Sequence, residues 1–383
     1  MKHRLRAFAD RLRGLRPVSG LDTHLLAALD WICAAQDASQ DDGVPHSYDL
    51  KQRRWLPSYP ETTGYIIPTL LDAAGLLQRP DLAERALRMA RWEASIQFPD
   101  GGIQAGMIGA NPLAPTIFNT GQVLFGFVRA FKETDDPALG EAARKAADWL
   151  VAAQDPDGCW RRFKSPFTTT EVATYNTRSA FALARAWEVL GDRSHLEAAV
   201  RNAEWAVAQA RPNRWLPGNS LDRHDDDRAL THTLAYSIRG IFEIGLCAGR
   251  EDLVAFARGM AESLAVLQRP DGALPCYVSP DWQPLAPWSC VTGNAQMALN
   301  WQRIAHACGD GEGLVEQAKA ANRFNKGVQD LQAADPGIRG GIPGSFPFDG
   351  GYMTWRFPNW ATKFFVDALL LERYGKAAGN AGA

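Results

Sequence analysis

The chain has little of what would place it outside an ordinary cell interior. Six cysteines in 383 residues, with no CxxC spacing among Cys33, Cys159, Cys247, Cys276, Cys290 and Cys308, are too sparse for a disulfide framework. Reduced thiols in a cytoplasm are the expectation. An excess of charge of one sign is also missing. The formal net charge is -2 and the pI is near 6.4, which leaves no electrostatic footprint for nucleic acid or for an anionic membrane. No apolar run reaches the roughly 18 residues needed to span a bilayer. The first residues, MKHRLRAFADRLRGLRP, are basic and broken by charges, so they lack the apolar core of a secretory signal. Their residue types suit a packed leader helix over 1–20 or a weak contact with a membrane surface.

What the chain does have is a repeat. Six short polar stretches each head an apolar helical run: PETTGY from Pro60, FNTGQ from Phe118, TYNTRSA from Thr174, LTHTLAY from Leu230, VTGNAQ from Val291 and NWATKFF from Asn359. Their starts lie roughly 55 to 70 residues apart. Before each head runs a second helix that usually ends on glutamine and a turn, as in SIQFPDGG, AAQDPDGCW and VLQRPDGAL. Pro-Asp-Gly is turn chemistry, since Pro presets φ and Gly accepts the left-handed conformation. One helix of each pair has a charged face and belongs outside; the other is apolar nearly all round and belongs inside. The predicted fold is all-α, an (α/α)6 toroid over residues 21–375 as one domain, with a disordered tail at 376–383. Asp22 and Asp136 are placed to cap outer helices. The six heads should open on one end, around the default site.

The residue types near the heads allow several chemistries. His232 and Tyr236 are four apart, hence one turn apart on one helix face, and Asn176 and Arg178 head the preceding inner helix. A base, an acid and a carboxylate clamp on adjacent helices suit removal of the C5 proton of a uronic acid, by epimerase or lyase chemistry. Glycoside hydrolysis would instead pair Glu61 with an aspartate of the run Asp225, Asp226, Asp227, of which Asp226 is the central candidate. A carboxylate in a first helical turn, or aspartates before a helix, also serve capping and the helix dipole. Sugar-binding candidates are His46, Tyr48, Tyr65, Asn119, Gln122, Asp225, Asp227, Asn294 and Gln296, with Trp282, Trp288, Trp355 and Trp360 as aromatic faces. Trp160 suits a staple between turn and helix. Cys276, Cys290 and His232 could converge on zinc, although their spacing is not that of a metal motif and buried cysteines mostly pack. No metal or organic cofactor is therefore expected, and the partner is a glycan.

The segments AADWLVAAQDPDGCW, SIQFPDGG and VLQRPDGAL resemble the glutamine-to-tryptophan repeats of terpenoid cyclase and protein prenyltransferase toroids. The six-pair pattern as a whole resembles six-hairpin glycosidases, toroidal uronate polysaccharide lyases and glucuronyl C5-epimerases. SYPETTGYIIPTLL, SCVTGNAQMALNW and FPNWATKFFVDALLLE resemble proteins of bacterial exopolysaccharide clusters. The resemblance implies the toroid and, on its sugar branch, a carbohydrate-active enzyme of polysaccharide metabolism. On the terpenoid branch, the protonating Asp-x-Asp-Asp motif is met only by His224-Asp225-Asp226-Asp227, with His in the first place. A toroid that binds glycan without catalysis is the reading from another class.

Overall fold

The glutamines that end the outer helices are the joints of the structure. In the computed structural model, which describes residues 14–221, 227–309 and 312–375, Gln97 Nε2 donates to Gly101 O at 3.0 Å and to Ala142 O at 3.1 Å. Gln154 donates to Gly158 O and Ala198 O, and Gln268 to Gly272 O and Gln317 O. Each amide thus satisfies a carbonyl of its own turn and one of the next outer helix. Gln329 closes the circle by donating to the His24 carbonyl at 3.2 Å. The turn glycines follow from the same contact. Gly101, Gly158, Gly272 and Gly340 all have positive φ, and a Cβ on any of them would lie 2.1–2.4 Å from a carbonyl oxygen of the neighbouring outer helix.

The outer helices are α1 (Leu21–Asp37), α3 (Pro80–Ile96), α5 (Pro137–Ala153), α7 (Arg193–Ala208), α9 (Glu251–Ala265) and α11 (Glu312–Val328). The inner ones are α2 (Pro60–Leu77), α4 (Ile117–Thr134), α6 (Thr177–Leu190), α8 (Thr231–Ala248), α10 (Val291–Cys308) and α12 (Asn359–Tyr374). Neighbouring inner helices pack in sequence, and α12 returns to α2 to close the ring. Each inner helix packs chiefly on the outer helix that follows it, across a tight turn whose left-handed residue is Gln78, Asp135, Gly191, Gly249 or Gly309. α1 packs instead on α12. The packed hairpin is therefore inner-then-outer, with the long loops joining hairpins rather than lying inside them. Two caps differ from each other: Asp136 accepts from Ala138 N at 3.0 Å, whereas Gly20 precedes α1 and Asp22 in its first turn pairs with Arg373.

The long loops all lie at the N-terminal end of the inner helices and are stitched by short antiparallel pairs. β1 (Ser47–Asp49) pairs with β2 (Arg54–Trp55) and with β7 (Arg356–Pro358), joining the first loop to the last. β3 (Ala229–Leu230) pairs with β4 (Tyr277–Val278), and β5 (Ser289–Cys290) with β6 (Ser345–Phe346). The fourth residue of four inner helices anchors the loop before it, since Thr63, Thr120, Asn294 and Thr362 accept from Val44 N, Ile103 N, Leu274 N and Ile342 N at 2.9–3.0 Å. No described helix is long and apolar enough to cross a membrane.

Candidate active site

With the loops fixed in this way, the second residue of several inner helices points into a cavity of about 230 Å³ at the mouth of the ring. Glu61, Phe118, His232 and Trp360 reach it from that position. Tyr65 and Tyr236 enter from one turn deeper on α2 and α8, and His46, Tyr59, Tyr175 and Tyr352 come from the loops. Asn119 also lines it, with its amide donating to Gln104 O at 2.7 Å.

The titratable groups have been pulled away from their ordinary values. His232 Nδ1 lies 2.7 Å from Gln296 Oε1. An amide oxygen only accepts, so Nδ1 carries the proton and Nε2 keeps its lone pair. Burial lowers the His232 pKa to about 4, against an upward pull from the Gln296 bond, so the ring is neutral near pH 7. His46 is likewise lowered by burial, to about 3, and packs between a tilted Tyr59 ring and an edge-on Trp360. Glu61 moves the other way. Burial raises it to about 7, opposed by the hydrogen bond that the Tyr59 hydroxyl donates to its carboxylate. Its place in the first turn of α2 favours the anion by only about 0.3–1 kcal/mol, less than the desolvation that opposes it. Glu61 keeps part of its surface on the cavity, so cavity water tempers that desolvation.

Aromatic rings form the walls. The Tyr236 ring centre is 4.7 Å from His232, 5.2 Å from Phe118 and 5.8 Å from Phe364. Trp360 Nε1 donates to the Tyr352 hydroxyl at 2.9 Å, and the Tyr352 ring lies 5.4 Å from His232. The buried Tyr65 hydroxyl lies against that of Tyr236, and the contact helps to hold the Tyr236 hydroxyl in the cavity wall.

Arg178 lies beneath this floor and does not line the cavity. A 3-10 turn at Thr174–Asn176 precedes α6 and gives the wall to Tyr175, while the Arg178 guanidinium packs 4.4 Å from the Phe125 ring centre and 5.8 Å from that of Tyr236. Its Nε donates to Gln122 Oε1 at 3.4 Å, so Gln122 also belongs to this lower layer. Asn176 opens instead on a small side cleft with Trp160 and Lys164. Other sequence candidates stand away from the cavity because they already have partners. Tyr48 donates to Asp335 at 2.9 Å, Asn294 holds Leu274 N and Asn325, and Trp282 donates to Asn213 O. Trp288 packs edge-on to Tyr277, and Trp355 is buried beneath Lys51. Gln296 does not line the cavity and bonds His232 Nδ1 from behind it. Trp160 donates to Leu150 O, stapling its turn. Asp227 is exposed and does not line the cavity; Asp225 and Asp226 lie outside the described residues, as do 1–13 of the leader and the tail from 376.

Tyr59, Phe118, Tyr175 and Tyr352 are lining residues that were not among the sequence candidates. Tyr59 has a signal, since it directly precedes the first head; Tyr352 sits in a glycine-rich loop with no period to mark it. For zinc, Cys276 and Cys290 are buried side by side, but with His232 they do not form a ligand cluster among the described residues.

Solved structures share this architecture. Unsaturated glucuronyl hydrolase from Bacillus sp. GL1, described as responsible for the degradation of glycosaminoglycan, superposes with a TM-score of 0.73 at 17% identity, over 93% of this chain and 97% of that one. Cellobiose 2-epimerase from Bacillus thermoamylovorans B4167 gives 0.71 at 10% identity, over 97% and 100%. A sugar epimerase from a ruminal bacterium gives 0.73 at 10% identity, over 90% and 98%. The chain has the (α/α)6 toroid fold. At these identities the likeness is one of fold, and the site chemistry is argued from this chain's own residues. No protein-family model and no curated protein matches the chain.

Proposed function

We propose that the protein is a carbohydrate-active enzyme that removes a proton from a sugar carbon, with the C5 proton of a uronate residue in a glycan as the preferred target. The observation that carries this reading is the pairing, in one cavity, of a neutral histidine whose Nε2 lone pair is fixed by Gln296 with a carboxyl whose pKa burial raises to about 7. His232 Nε2 takes the proton from carbon. The electrons of the C–H bond pass to the adjacent carboxyl group, which the buried Arg178 favours from beneath the floor as a fixed positive charge. Glu61 or Tyr236 then returns a proton, to the opposite face of the carbon in an epimerase or to the leaving oxygen in a lyase. Phe118, Tyr352 and Trp360 offer faces for the C–H surface of the sugar ring.

Glycoside hydrolysis is the second reading. It is favoured by Glu61 being the single carboxyl among the described lining residues, with a pKa raised to about 7 so that a substantial fraction is protonated at neutrality, as a general acid needs. Incubation with uronate glycans in heavy water separates the cases. Deuterium at C5 without cleavage means epimerase, a new unsaturated end absorbing in the ultraviolet means lyase, and a new reducing end with neither means hydrolase. Hydrolysis alone overturns the proposed reaction.

A further inference from the structure

The mouth cavity runs on, beside the loop between α5 and α6, into the small side cleft that holds Asn176. The two spaces share Phe118, Ser165, Thr168 and Tyr175 as lining. Phe167 stands at this boundary. Its ring is held against Gly106 of the neighbouring loop, where an added Cβ would lie 2.5 Å from Phe167 Cε2, and it borders the mouth with 52% of its surface exposed. A large apolar side chain left open at the edge of a cavity is a mark of a ligand groove, and an aromatic face beside a glycan cavity suits a sugar ring.

Size limits what the side cleft holds. Its volume is about 30 Å³, and one water needs about 10–15 Å³ on the same measure. It has room for a substituent of a few heavy atoms and none for a ring. Its chemistry is rich in donors. Asn176 is 8% exposed and lines the cleft, and its side-chain amide makes no hydrogen bond within the described residues; such a group is completed by an incoming partner. Ser165 Oγ accepts from Phe167 N at 3.2 Å, which leaves its proton to give. Lys164 and Arg162 bring two positive charges to the lining against one carboxylate, Glu171. Glu171 reaches Lys164 at 3.6 Å with both side chains largely in water, a pair that is easily exchanged. Arg162 is held by donating to Ala152 O and Ala153 O at the end of α5 and pairs with no carboxylate among the described residues.

We propose that the side cleft is a second subsite of the glycan site and takes the carboxylate of the uronate next to the one at His232. Lys164 and the Asn176 amide are its donors, and the ring of that neighbouring sugar lies on the open face of Phe167. This rests on the reading of the mouth as a uronate-glycan site and adds the substrate class to it: a chain with acidic sugars in succession, rather than single uronates set among neutral sugars.

Isothermal titration calorimetry on the full chain tests this with trigalacturonate, acidic at every ring, hyaluronan tetrasaccharide, in which uronates alternate with neutral sugars, and neutral cellotriose. Affinity should fall in that order. Lys164→Ala should weaken trigalacturonate about threefold to tenfold by removing a charge-assisted donor, and Asn176→Asp about tenfold by setting a carboxylate against that of the sugar. Lys132→Ala, which removes an exposed lysine from the last turn of α4 at the other end of the ring, should change it by less than about twofold. Lys164→Ala keeps the test decisive if Asn176→Asp fails to fold, because Lys164 is exposed. Trigalacturonate binding that Lys164→Ala leaves intact overturns the second subsite, and proton removal at His232 then stands or falls on deuterium exchange alone. Hyaluronan bound more tightly than trigalacturonate overturns the acidic neighbour. Binding of neither acidic oligosaccharide, or of cellotriose as tightly as trigalacturonate, overturns the inference together with the uronate reading beneath it.

Discussion

Replacing Glu61 by Gln gives a test of the site's electrostatics that needs no substrate. Burial raises the carboxyl from an ordinary 4.5 to about 7. A folded-state pKa above the unfolded value means that the carboxyl costs the fold nothing below pH 4.5 and progressively more as pH rises through 7. The difference of about 2.5 pH units at about 1.36 kcal/mol each gives a cost of at most about 3.4 kcal/mol above pH 7, reduced by whatever water the cavity admits. Urea unfolding of wild type and Glu61→Gln at pH 4.5 and at pH 8 measures it. The stability of the variant relative to wild type should rise by about 2–3 kcal/mol between the two conditions. A relative stability that does not move with pH would refute the raised pKa and with it the role of Glu61 as a proton donor near neutrality. Tyr59→Phe sharpens the same experiment. Removing the donated hydrogen bond, at about 1.5–3 kcal/mol for a bond to a charged group, should push the Glu61 pKa higher still, by about 1–2 units.

Activity should fall below about pH 4, as His232 becomes protonated, and above about pH 7, as Glu61 ionises; a pH profile of kcat/KM that stays flat between 5 and 9 contradicts the assignment. Glu93, buried on α3 with neither carboxylate oxygen bonded and its pKa raised by burial, should give a protein about 1–3 kcal/mol more stable at pH 8 when replaced by Met, read from the urea midpoint. Lys363 and Asp367 form a fully buried pair at 2.6 Å, so Lys363→Met should cost about 3–5 kcal/mol by stranding the aspartate, with a matching drop in Tm. Gly64→Ala should also destabilise, by about 1–3 kcal/mol, since its Cβ would lie 2.4 Å from Val123 Cα on the neighbouring inner helix.

The ring was legible because its determinants are local and repeated. Gln97, Gln154 and Gln268 each perform the same double donation, so the motif recurs with the joint it makes. The pairing within hairpins was less legible, because packing across a tight turn such as that at Gln78 leaves no mark that distinguishes it from a link through a long loop. At the site, His232 and Tyr236 share the cavity because one helical turn fixes their relation. Arg178 shows the limit of that logic. A 3-10 turn of three residues decides which side chain reaches the wall, and nothing in TYNTRSA announces the turn. Tyr48 and Asn294 show another limit: a polar residue beside a head is as readily used to hold a loop as to meet a ligand.

The central claim, proton removal by His232, is tested most directly by deuterium exchange into a uronate glycan in heavy water, followed by NMR at C5, for wild type and His232→Ala. The account predicts exchange by wild type, loss of about 10²–10⁴-fold on replacing the base, and a shifted pH dependence, not a comparable loss, in Gln296→Glu, which keeps an acceptor on Nδ1. Exchange at full rate in His232→Ala, with the variant folded, would contradict it.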